Sequence, residues 1–139
     1  MLVAAQVDGA RLELYLPATE AAIPQARQAL DGIEALDAWP EQRFSLRLLV
    51  TELFTNGVRR GARAEGSRIR LCIDLRGGRV RVEIGDRGRG FAPAAASWPA
   101  HDATSGRGLA FLDALADRWG VVNQGENLVW LELDLPEAG

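Results

Sequence analysis

The stretch FSLRLLVTELFTNGVRRG, residues 44–61, decides how the rest of the chain is read. Wound at about 100° per residue, it is apolar almost all the way round. Phe44, Leu46, Leu48, Leu49, Val50, Leu53, Phe54 and Val58 leave one polar wedge, about 60° wide, holding Ser45, Glu52, Asn56 and Arg59. The pattern predicts a buried helix over about 41–60. Glu52 and Asn56 are four residues apart and therefore neighbours on its surface. A carboxylate and an amide set among apolar side chains need partners. Solvent is one such partner. A ligand held through a metal is the other, because carboxylate and amide oxygens are hard donors suited to Mg2+. Glu52 would then be placed to act as a general base on a hydroxyl group.

On either side of this helix the patterning changes period. RLELYL (11–16) alternates as a half-buried strand does, and Pro17 ends it. Thr19 is expected to N-cap a helix over roughly 20–37 with Ala22, Ala26, Ala29, Leu30 and Ile33 on one face. Strands are expected at about 68–75 and 79–85, joined by a Gly-Gly hairpin turn. Residues 85–108 form a Gly/Ala/Pro-rich stretch too long for an idle connection. A helix over about 107–117 follows, then strands at 119–122 and 128–135. Leu109, Leu112, Leu115 and Trp119 recur at core spacing. The order is strand, two helices, hairpin, long loop, helix, hairpin. It predicts an α+β fold, a mostly antiparallel mixed sheet with helices on one face, in a single domain spanning residues 1–139.

Composition removes several chemistries. All 16 basic residues are arginine, so a P-loop lysine, a kinase strand lysine and Schiff-base catalysis are excluded. One cysteine and one histidine exclude an intrachain disulfide or a Cys/His zinc site. Cys72, inside RIRLCIDL, reads as a small core residue of a strand, and His101 as a solvated loop residue. A net charge of −3 gives no electrostatic argument for nucleic acid or a membrane surface. No apolar run reaches the ~18 residues of a membrane span, and no signal peptide is evident, so a cytoplasmic location is expected.

Two glycine-rich boxes flank the long stretch. IGDRGRGF (84–91) follows a strand directly; its glycines permit close backbone approach, and Asp86 can accept from an exocyclic amine. The alternative is a plain turn. SGRGL (105–109) opens a helix, where exposed N–H groups make an anion site; the alternative is a flexible entry loop.

The series formed by Glu-x-x-x-Asn, a hairpin, D-x-G-x-G-F and then G-x-G-L resembles the GHKL (Bergerat) ATP-binding fold of gyrase, histidine kinases and MutL. The tail GRGLAFLDALADRWGV (106–121) is most similar to the anti-sigma-factor serine/threonine kinases of the SpoIIAB/RsbW type. The resemblance runs from about Leu12 to Leu135. It implies a two-layer sandwich that binds ATP with Mg2+. By the same resemblance Glu52 is the general base, Asn56 holds the metal, and Asp86 holds the adenine amine. Gly88 and Gly90 shape the pocket, while Ser105, Gly106 and Gly108 lie against the phosphates. Residues from about 92 to 105 are the lid. Arg107 and Arg89 are the candidates by position for stabilising charge on the transferred group, and Arg107, between two of these glycines, is the better placed. The implied partners are an anti-anti-sigma (STAS-domain) protein, which is phosphorylated, and a sigma factor, which is sequestered; a homodimer is also expected. Arg60-Gly61 stands where many relatives have His-Gly, and Gly125 to Leu128 lack a Lys or Thr often found there. These departures support a second reading, a GHKL-fold module that regulates a partner by contact alone. A histidine-kinase catalytic domain would need a dimerisation helix pair carrying a phosphoacceptor His, for which the stretch before the first strand is expected to be too short.

Overall fold

The structure is a computed structural model and describes residues 10–61, 68–86, 106–122 and 127–137. Strands β1 (Ala10–Pro17), β2 (Arg68–Arg76), β3 (Arg79–Asp86), β4 (Arg118–Val122) and β5 (Asn127–Asp134) form one sheet in the order β1-β2-β3-β5-β4. Every pairing in it is antiparallel. Helices α1 (Ile23–Asp31), α2 (Pro40–Gly61) and α3 (Gly106–Leu115) complete the described elements, apart from short 3-10 turns at Glu20–Ala22 and Glu34–Leu36. The α+β expectation holds, with the sheet wholly antiparallel among the described residues.

Alternation in the strands separates two faces. Leu71, Ile73, Val80, Val82, Ile84, Val129 and Leu131 point to the helices and are buried. They meet Leu46, Leu49, Val50, Leu53 and Phe54 of α2, all wholly buried. Burying each such side chain contributes about 1.5–3 kcal/mol, so α2 is the element the core is organised around. Leu112 of α3 and Leu30 of α1 join the same core.

The helix expected over 20–37 is broken. Thr19 makes no side-chain cap; its carbonyl instead accepts from Ala22 N–H at 3.1 Å and closes a 3-10 turn. α1 then runs only to Asp31, and Gly32, a poor helix former, lets the chain turn so that Ile33 and Leu36 are buried. Trp39 donates its indole N–H to the Pro136 carbonyl at 2.6 Å, tying this connection to the end of the chain. Phe44, read as part of the apolar face of α2, is 61% exposed.

Cys72 is buried but not in the main core. It lies on the opposite face of the sheet from Leu71 and Ile73, in register with Glu13 and Glu83. That outer face is an ion-pair lattice: Arg70 donates to Glu13 and Glu83, Arg81 to Glu83 and Glu132, and Arg118 to Glu132 and Asp134. One chain of contacts thus crosses all five strands.

Candidate functional site

The polar wedge of α2 is present, and its members differ in exposure. Arg59 is exposed, Ser45 and Glu52 are half-buried, and Asn56 is buried at 4%. Among the described residues Asn56 is the one buried polar or charged side chain, and its Nδ2 has no hydrogen-bond partner. An unsatisfied buried amide is costly unless something outside the protein meets it. That orphaned amide, one turn from a carboxylate, sets the wedge apart from the apolar remainder of α2.

The turn bearing Glu52 is held from both sides. Arg27 of α1 donates through Nε to Thr51 Oγ1 at 3.0 Å, and the Thr55 hydroxyl donates to the Thr51 carbonyl at 2.6 Å. Two threonines four residues apart, bracketing Glu52, were the sequence signal for this brace, and the motif reading did not use it. Gly57, directly after Asn56, is also buried.

α2 packs against both β3 and α3. β3 ends at Asp86, whose backbone pairs with Ile69 on one side and Asn127 on the other. Residues 80, 82 and 84 of β3 face the helices. α3 begins at Gly106, with Arg107 and Gly108 in its first turn and no acidic residue there. The first N–H groups of such a helix have no intrahelical acceptor and favour an anion. The fold therefore brings the Glu52/Asn56 helix, the strand ending at Asp86 and the helix opening at Gly106 into one packed unit. The side chains of Asp86 and Arg107, together with Gly88, Gly90, Ser105, the 92–105 lid and His101, lie outside the described residues. Among the described residues no group of His, Cys, Asp or Glu is arranged to hold a metal by itself. No described helix is long and apolar enough to cross a membrane.

Residues 16–133 match the family model described as the histidine kinase-like ATPase domain, and the chain belongs to that family. Among solved structures it is similar to the histidine kinase domain of the blue-light activated histidine kinase of Erythrobacter litoralis EL346. The TM-score is 0.57 at 21% identity, over 86% of this chain and 61% of that one. The chain thus spans less than two thirds of that domain, and the likeness shows the shared fold: a sheet with its helices on one side. No curated protein matches the sequence. Family membership implies ATP as the bound group.

Proposed function

We propose that this protein binds Mg-ATP between α2, the end of β3 and the start of α3, and transfers the γ-phosphoryl group to a serine or threonine of a partner protein. The orphaned, buried amide of Asn56 beside Glu52 is the observation that supports it most directly. The residues suit the group: an amide whose oxygen and nitrogen can serve a hard cation and a phosphate oxygen, and a carboxylate one helical turn away.

In this reading bound Mg-ATP supplies the phosphoryl group and the counter-charge for its oxygens. Glu52 accepts the proton of the attacking hydroxyl as the new P–O bond forms and the bond to the β-phosphate oxygen breaks, leaving ADP. Arg27 and Thr55, through Thr51, keep the Glu52 turn from fraying. Asp86 selects adenine, Gly106 and Gly108 leave room at the phosphates, and Arg107 offsets charge developing on them. The motif resemblance favours an anti-anti-sigma STAS-domain protein as acceptor, a sigma factor as the sequestered partner, and a cytoplasmic homodimer as the working form.

The test begins with calorimetric titration of ATP and ADP, with Mg2+, into the wild type and Asp86→Ala. Binding that the substitution strongly weakens is expected. Phosphate transfer to candidate STAS proteins follows, with Glu52→Ala as the silent control. Absence of nucleotide binding by the folded wild type would overturn the kinase reading. Binding without transfer, with partner regulation intact in Glu52→Ala, would instead favour the contact-only module that Arg60 and Gly125 to Leu128 suggest.

A further inference from the structure

The β2–β3 hairpin carries a feature that the nucleotide site does not use. Its turn is Gly77-Gly78, both at positive φ, and it sets Arg76 directly opposite Arg79. Like charges paired across a hairpin are destabilising. Among the described residues nothing neutralises this pair well. Arg76 reaches Asp74 only at 3.8 Å and is 73% exposed; Arg79 reaches Glu132 only at 3.6 Å and is 50% exposed. Both separations are too long for hydrogen bonds. Glu132 is already engaged, accepting from Arg118 at 2.7 Å and from Arg81 at 3.1 Å. Asp74 is shared with Arg11 at 3.7 Å, and its Oδ1 is buried without a hydrogen-bond partner.

These residues line a groove of about 400 Å3 formed by Asp74, Arg76, Gly77, Arg79, Arg81 and Glu132. Its lining carries three guanidinium groups against two carboxylates, a local surplus of positive charge on a chain whose net charge is −3. The frame is stiff. Leu135 N–H donates to the Gly78 carbonyl at 2.8 Å, and Arg81 stacks on the Trp130 ring at 4.6 Å. The groove opens on the sheet face opposite the helices, away from Glu52 and Asn56.

We propose that this groove is a docking site for an acidic peptide segment of a partner protein. Carboxylates of the segment lie between Arg76 and Arg79, where fork-shaped donors favour a planar oxyanion. A peptide fits better than a bare phosphate. The floor alternates Asp74, Arg81 and Glu132, so a compact dianion would meet two carboxylates, whereas a peptide places N–H donors between its charges.

The test is an amide-resolved NMR titration of the full chain with an acetylated, amidated penta-glutamate peptide at low salt. Saturable shifts at Gly77 and Gly78 are expected, with none from penta-lysine. Arg76→Ser/Arg79→Ser, which changes two exposed side chains, should weaken binding about tenfold or more while ATP affinity stays unchanged. Arg76→Lys/Arg79→Lys, which keeps the charge and loses the fork, should fall between the two. No saturable shift at the turn, retention of binding by the serine variant, or tighter binding of inorganic phosphate than of the peptide would each overturn the proposal.

Discussion

At the scale of single residues, Asn56 separates function from stability. A buried amide with an unpartnered nitrogen stabilises the fold little, so Asn56→Ala should lower unfolding free energy by only about 1 kcal/mol, less than usual for a buried position. The same change should weaken Mg-ATP binding about tenfold or more, read by titration calorimetry. Equal binding by variant and wild type would remove Asn56 from the site. Glu52→Gln should do the reverse: it keeps nucleotide binding and loses about 10²- to 10⁴-fold in phosphate transfer, since amide replaces base at constant shape. Gly120 makes a different kind of claim. A Cβ there would sit 2.7–2.9 Å from the Trp130 ring, which Arg81 already holds in its stack. Gly120→Ala should therefore cost about 1–3 kcal/mol, seen as a lower thermal midpoint together with altered tryptophan fluorescence. The spacing of Glu52 and Asn56 was legible because helical period alone makes them neighbours. The packing of Gly120 under Trp130 was not, because it joins two strands through a register that no local pattern states.

At the scale of elements, the period-2 strands and the apolar helix were readable to within a residue or two, since each is decided by local alternation and by nearby Gly or Pro. The break between α1 and α2 was misread because its apolar positions continue at helical spacing across Gly32. What ends the helix is the gain from burying Ile33 and Leu36 after a change of direction. Phe44 was misplaced for a related reason: an apolar residue type states a preference for burial and not the face that satisfies it, whereas Cys72 is the small buried strand residue expected. The hairpin carries its own prediction. Gly77 and Gly78 have φ of 63° and 76° with open space where a Cβ would go, so only backbone strain opposes substitution. Gly78→Ala should cost about 1–2 kcal/mol. Gly77→Asn, whose side chain tolerates the left-handed region, should cost clearly less. Paired urea titrations check both; equal losses for the two would show that contacts, not φ, limit the turn.

At the scale of the whole molecule, two cohesive systems lie on opposite faces of one sheet, and they answer to different variables. The apolar side joins α2, α3 and α1 to the strands through buried hydrophobic side chains. The outer lattice is ionic. The Arg70 hydrogen bond holds the Glu13 carboxyl below its usual 4.5. Burial pushes Glu83 up, but Arg70 and Arg81 outweigh it and its value is lowered too. Arg118 lowers Glu132 and Asp134. Groups whose folded values are depressed contribute stability that is fully present above their unfolded values, near 4.5 and 3.8. That contribution is lost as pH falls through the lower folded values. Stability should accordingly be flat from about pH 7 to 5 as far as these groups are concerned, and fall progressively below about pH 4.5. Salt near 0.5 M should shallow the fall, because the exposed members of the lattice are screened. Glu83→Gln should shallow it as well, since that position links the β1–β2 half of the lattice to β3 and β5. Urea midpoints taken across this range, with and without salt, decide the matter. A pH dependence as steep in Glu83→Gln as in the wild type would place the acid-sensitive groups elsewhere in the molecule.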